Sequence, residues 1–455
     1  MALIELDLAA PPDPRLDSRP PVRHYRFAGL ILAAVLLVTL GGAAPGPHTL
    51  WRYLGAVPPP VGAETQSQLA GDRVYTVASA GGVRIATAWQ AESPPRKLWT
   101  VRLAARVAGP DTVGYGGVEA RPAGDVVLLS DGPQTTVVDA RTGAVRWTSP
   151  VGVTPLGSGR IGLVQNQAFR PGTAYDQDSG APGMLYFSST GEPHTEPPIR
   201  TEIDGVDLYT GRTVWTASVP GAINVFTTRG DPPAVLLLAS DRLERLNGET
   251  GVVEHSRPLP KIGADRPAGG RLTDGLLVVR YGDYAVDGPA AGYAADSLDL
   301  RWQRRVAAVL LDPPNCGDLL CAGPRSALDV LDPATGRAAW RASENVDLGE
   351  QSGYVLERDA GTGAPLRLAD RATGATRADL TGWAAALPTG GDGQPLVLRR
   401  GLAAGKSEFG VLLAGPPDRV RRLGVSAGPV SDCTADQRYV VCRGNDGLEI
   451  WAYSS

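Results

Sequence analysis

Lysine is almost missing from this 455-residue chain: Lys97, Lys261 and Lys406 are its only copies, and arginine carries the remaining basic charge. We read that imbalance as codon bias. Acidic residues outnumber basic ones, and the formal net charge of −4 leaves no footprint for phosphate-backbone binding, so nucleic acid is not an expected partner. Cysteine is scarce, with four copies, too few for a small disulfide scaffold and without the repeated CxxC spacing of a zinc site. Of the four histidines, His24, His48, His194 and His255, no two stand at the HxH or HxxxH spacing of a metal pair. No CxxCH haem attachment occurs. Disorder throughout is excluded by a 43% hydrophobic content, despite 57 glycines and 39 prolines.

Long apolar runs are equally rare, and the single one is informative. Phe27 to Ala44 contains eighteen residues without a charge, which at about 1.5 Å each just span a hydrocarbon core. Arg15, Arg19, Arg23 and Arg26 precede it, whereas the next basic residues after it are Arg52 and Arg73. The positive-inside rule therefore places the N-terminus in the cytoplasm and the rest outside. A buried core helix and a cleaved signal peptide compete with this anchor. The proline-rich segment before the run argues against the first, and the length of that polar segment against the second. The expected organisation is a cytoplasmic tail (1–26), a transmembrane helix (27–44), a tether (45–61) and an exported body (62–455).

In that body a cassette repeats. Asp139, Thr142, Gly143 and Trp147 stand at offsets 0, 3, 4 and 8; Asp207, Thr210, Gly211 and Trp215 match them, as do Asp332, Thr335, Gly336 and Trp340. Two copies keep the turn without the indole: Asn247, Thr250 and Gly251 lead to His255, and Asp370, Thr373 and Gly374 lead to Ala378. The Asp or Asn bonds the turn backbone, Gly supplies positive φ, and Trp anchors one sheet against its neighbour. His255, in a tryptophan slot, is expected to pack likewise. Short apolar runs such as Asp125 to Leu129, Ala234 to Leu238 and Leu276 to Val279 precede the turns, with no helix-period segment between them.

The cassette glycines lie 68, 40, 85 and 38 residues apart. Counting 85 as two units, with a degenerate one at Trp302, gives steps of about 46, the length of a four-stranded propeller blade. About eight blades are expected, with seven possible, and hairpin signals near Trp99, Arg421 and Trp451 raise the count of partial units to nine. Thr49 to Leu54 is expected to complete the sheet of Leu448 to Tyr453 and so close the ring.

The Asp-x-x-Thr-Gly-x-x-x-Trp cassette resembles the blade motif of the pyrroloquinoline-quinone-like repeat. That repeat occurs in quinoprotein alcohol dehydrogenases and in the periplasmic lipoprotein of the outer-membrane barrel-assembly machinery. The resemblance covers 62–455, and the anchored form is similar to propeller proteins of high-GC Gram-positive bacteria. It implies an all-β propeller, and for the enzymes of the family also a vicinal Cys-Cys disulfide and a calcium site. Cys316 and Cys321 are five apart and Cys433 and Cys442 nine apart, so the vicinal pair is missing. Four cysteines allow three connectivities, and locality favours Cys316 with Cys321 and Cys433 with Cys442 as staples.

Three weaker features remain. Asp176 to Gly180 begins like a calcium loop but lacks its later Gly and Glu. Asp111 to Gly117 is glycine-rich without the following helix that phosphate needs. The 68-residue interval carries an insertion within Gln165 to Glu202, expected to overhang one rim and contact a partner. The resulting expectation is a monomeric, non-enzymatic propeller without cofactor or metal, anchored outside the cell or in the periplasm. It would bind an envelope protein or cell-wall component. A quinoprotein-type dehydrogenase and a membrane-tethered ligand sensor are the competing functions.

Overall fold

The computed structural model describes residues 30–32, 51–58, 66–80, 83–103, 118–157, 159–176, 178, 180, 183–228, 230–282, 287–306, 316–324, 326–351, 353–387, 389, 396–412 and 420–454. Residues 50–455 form one compact unit. Its strands assemble into eight four-stranded sheets, one three-stranded sheet and one two-stranded hairpin. The first nine are the blades of a β-propeller: 66–102, 118–149, 153–220, 224–258, 267–306, 321–341, 346–379, 385–425, and a ninth shared between the two ends of the unit.

Each blade is an antiparallel meander whose strands pair in sequence order, except that the ninth takes its outer strand from the start of the unit. First strands of successive blades touch: Gln66–Ala70 meets Val118–Ala123, Asn224–Thr227 meets Pro267–Thr273, and Ala385–Leu387 meets Ser431–Ala435. Ser431–Ala435 also meets Gln66–Ala70, so the first strands encircle an axis and the ring closes. The core is distributed between blades; Ile203 and Trp215 of the third, for example, pack with Val235 and Leu246 of the fourth.

Closure uses the N-terminal strand. Trp51–Val57 pairs antiparallel with Gly447–Tyr453 and covers the edge that strand would otherwise expose. This strand lies within 45–61, the stretch expected to be tether. Trp51 stacks on Phe409 and Trp451, with ring centroids 4.8 and 5.5 Å away, and so binds the ninth blade to the eighth.

The count of nine corrects the expected eight. The insertion in the third blade inflates the mean step, whereas the uninterrupted steps from Gly211 to Gly251 and from Gly336 to Gly374 are 40 and 38 residues. Dividing by the inflated step removes one blade. Among the described residues no helix is long and apolar enough to cross a membrane. The proposed span 27–44 lies outside the described residues except for 30–32, which are helical. The tail 1–26, His24, His48 and Asp111 to Gly117 also lie outside them.

Candidate functional site

The two ends of each blade are built differently. The cassette occupies the turn between third and fourth strands, at one end of the meander; the turn between second and third strands lies at the other.

At the cassette end the geometry repeats. Asp139 Oδ1 accepts from Arg141 N–H, Thr142 N–H and the Thr142 hydroxyl at 3.1, 2.9 and 2.9 Å, and Gly143 N–H returns to the Asp139 carbonyl at 2.9 Å. Asp207, Asn247, Asp332 and Asp370 hold their turns in the same manner. The Arg146 guanidinium, followed by the Thr142 donors, holds the Asp139 carboxyl well below the usual range, and Arg377 with Thr373 brings Asp370 down to about 2. At Asp207 burial opposes ionisation, but the Thr210 hydroxyl and N–H outweigh it and the pKa falls.

Five indoles dock on the next blade's cassette. Trp99, Trp147, Trp215, Trp302 and Trp340 donate Nε1–H to the carbonyls of Ala140, Leu208, Gly248, Pro333 and Arg371, at 2.7 to 3.0 Å. Every acceptor is the residue after the next blade's offset-0 position. The cassette glycine lies against the same ring: a Cβ on Gly143, Gly211, Gly251, Gly336 or Gly374 would come within 2.6 to 2.8 Å of the indole. The glycine is therefore required twice, for its φ near +70° at Gly211 and Gly251 and for the indole it must clear.

One joint proves the coupling by losing both halves. Leu298 occupies the glycine slot of the fifth blade, with φ +60° and its N–H on the Ala294 carbonyl. The preceding blade supplies His255 in place of an indole. His255 does not pack as expected but is exposed, and Arg257 crosses the joint instead, donating to the Leu298 carbonyl at 3.0 Å. A further cassette, Asp359, Thr362 and Gly363, turns between the second and third strands of the seventh blade. Its spacing was readable in the sequence. Its offset-8 residue is Arg367, which binds the wholly buried Glu357 through two hydrogen bonds of 2.6 and 2.8 Å.

Cys316 is bonded to Cys321 and Cys433 to Cys442, both within single blades or their flanking turns. The residues do not fit the quinone cofactor of the resembling enzymes. Adjacent cysteines are lacking from the sequence, and among the described residues no three carboxylate, His or Cys side chains converge as a metal site requires. Asp176 instead accepts from Asp178 N–H at 3.1 Å within its own turn.

The opposite end carries the insertion, between Ile161–Ala168 and Arg200–Asp207 of the third blade. It is folded around its own small core. Tyr186–Phe187 pairs with Pro193–His194, and Ala174 bridges to His194. The Phe169 ring stacks on His194 at 3.7 Å with planes 5° apart. Thr173 donates its hydroxyl to the Arg170 carbonyl at 2.8 Å, and the same oxygen hydrogen-bonds with His194 Nδ1 at 3.2 Å. His194 is thus a packing residue. Outward, the insertion presents Met184 and Phe187, 74% and 57% exposed, with Ile199 also exposed at its base. Beneath it, between the third and fourth blades, opens a cleft of about 430 Å³ to which Ser189 of the insertion contributes.

No family model and no curated protein matches the chain. Solved structures align with the chain at low similarity. BamB from Moraxella catarrhalis aligns with 16% identity and a TM-score of 0.36, over 89% of this chain and 98% of its own. A eukaryotic initiation factor aligns with 11% identity and a TM-score of 0.39, over 76% and 89%. At these values neither protein's function carries over.

Proposed function

We propose that the chain is a non-enzymatic protein-binding scaffold of the pyrroloquinoline-quinone-like repeat class, displayed outside the cytoplasm on a single membrane anchor. The observation that carries this reading is the insertion: a folded module that spends its internal polar groups on its own packing and turns Met184 and Phe187 to solvent. Exposed large apolar side chains on a rigid platform mark contact surfaces for other proteins. The arginines before residue 27 support an outward-facing ring, and an oxidising compartment suits the two disulfides. The partner class is an envelope protein. A quinoprotein activity finds no residues for its cofactor, as described above.

The test is chemical cross-linking in intact cells expressing the full chain, with and without the double variant Met184→Asp and Phe187→Asp. Captured envelope proteins should disappear with the variant while the ring melts unchanged. Identical capture from both forms would contradict the proposal.

A further inference from the structure

Among the described residues the inner side of the third blade is incompletely covered. Its first strand, Val153–Pro155, pairs only with Gly162–Val164, while the second strand, Ile161–Ala168, runs on for four residues and pairs with the third strand throughout. Antiparallel strands direct the amide groups of alternate residues to alternate sides. The Ala168 carbonyl accepts from Ile199 N–H on the outer side, and the Ile161 carbonyl accepts from Leu156 N–H on the inner side. Odd-numbered residues therefore face inward. Beyond Val164, Gln165 and Gln167 direct an N–H and a C=O each toward the axis, and no backbone group among the described residues meets them.

The cleft opens at this edge. It is lined by Gly152, by Thr154, Leu163, Gln165, Gln167 and Ile203 of the third blade, Val225 and Thr227 of the fourth, and Ser189. Thr154, Gln165, Gln167, Ser189 and Thr227 make no side-chain hydrogen bond among the described residues. None of the lining residues is charged and none is aromatic. Side-chain alternation sends Asn166 and its partner Asp204, 3.4 Å apart, to the other face of the sheet.

We propose that this cleft takes an extended, uncharged peptide segment of a partner protein, added as a strand along Gln165–Gln167. Inward N–H and C=O groups two residues apart, about 6.8 Å along the strand, match the repeat of an extended guest. Leu163, Ile203 and Val225 form an apolar floor for one guest side chain, and the Gln, Thr and Ser groups accept polar neighbours. A saccharide would use the same amides and hydroxyls, but the cleft offers no ring on which a sugar face could lie. A charged guest would lose its hydration without a counter-ion. This inference deepens the binding role proposed above and rests on it, with a separate point of failure.

The test pans a phage-displayed library of random dodecapeptides against the full chain and measures the affinity of a selected synthetic peptide by fluorescence anisotropy. Two variants probe the edge. Gln167→Pro removes an inward N–H that no described strand uses, and Thr154→Trp fills the cleft from an exposed position. Selected peptides should be uncharged, and each variant should weaken binding about tenfold or more with the melting temperature retained. Failure to select any peptide, affinity unchanged in both variants, or binding of chitohexaose in place of peptides would overturn the inference. The Met184→Asp and Phe187→Asp variant separates the two readings. If it abolishes capture of a cell partner while the edge variants change nothing, the exposed face stands and the strand-addition site falls.

Discussion

The third blade carries the two contrasting regions of this molecule at its opposite ends. At one end, Asp207, Gly211 and the neighbouring indole Trp147 form a joint that recurs around the ring with hydrogen bonds constant to a few tenths of an ångström. At the other end the chain leaves the meander after Ala168, builds a private core of Phe169, Thr173 and His194, and returns at Arg200. The recurring end spends its polar groups internally and holds the ring. Among the described residues the irregular end leaves apolar side chains exposed and a strand edge unpaired. On the proposed reading the repeat fold separates stability from recognition: the glycine–indole joint shared by five pairs of blades lies at one rim, and the insertion at the other.

Substitutions at the joints should have the largest effect. Trp215→Ala removes a nearly buried indole, its bond to Gly248 and its contact with Gly251, and should cost about 3–5 kcal/mol in urea unfolding. His255→Ala, in the corresponding slot of the next blade, should change stability by less than about 0.5 kcal/mol because the imidazole is exposed. Equal losses would break the distinction between filled and empty joints.

Glycine substitutions compare the two ends directly. Gly211 and Gly172 both have positive φ, +72° and +82°, but only Gly211 has an indole where its Cβ would go. Gly211→Ala should cost about 2–4 kcal/mol by thermal melting, through strain and overlap together. Gly172→Ala should cost about 1 kcal/mol, from strain alone.

Acid should sharpen the contrast more gently. The Asp370 carboxyl titrates near 2 in the folded ring, below its unfolded value, so its contribution to stability is full above about pH 4 and is lost as pH falls toward 2. The stability gap between the native chain and Asp370→Asn should therefore narrow across that window in denaturant titrations. A gap constant with pH would show that the cassette carboxylate is not ionised by its turn. Smallest of all, Phe187→Asp should leave unfolding within about 0.5 kcal/mol of the native chain, since the ring is exposed.

The joints were legible in the sequence because their chemistry is local. Asp, Thr, Gly and Trp fall within nine residues, and positive φ restricts the choice at one of them. What could not be read there was where each indole goes, since Trp147 finds its acceptor 61 residues later, in another blade. The loss of Trp at His255 looked like decay of the repeat; only the ring shows that Leu298, with its Cβ, stands opposite. The ninth blade was hidden because the insertion lengthened the mean step and because the last blades lack the full cassette. Position of the insertion was visible from spacing alone. Its cleft was not, because Gln165 and Gln167 read as an ordinary alternating strand until the shortness of Val153–Pro155 exposes their inner edge.

The account's central claim is that recognition belongs to the insertion end and structure to the cassette end. Phe187 and Tyr209, 57% and 46% exposed, mark those two ends within one blade. A photo-cross-linking amino acid placed at each position in turn, in the full chain in living cells, tests the claim most directly. The account predicts discrete protein adducts from position 187 and none from position 209. Adducts from 209 alone, or equally from both, would contradict it.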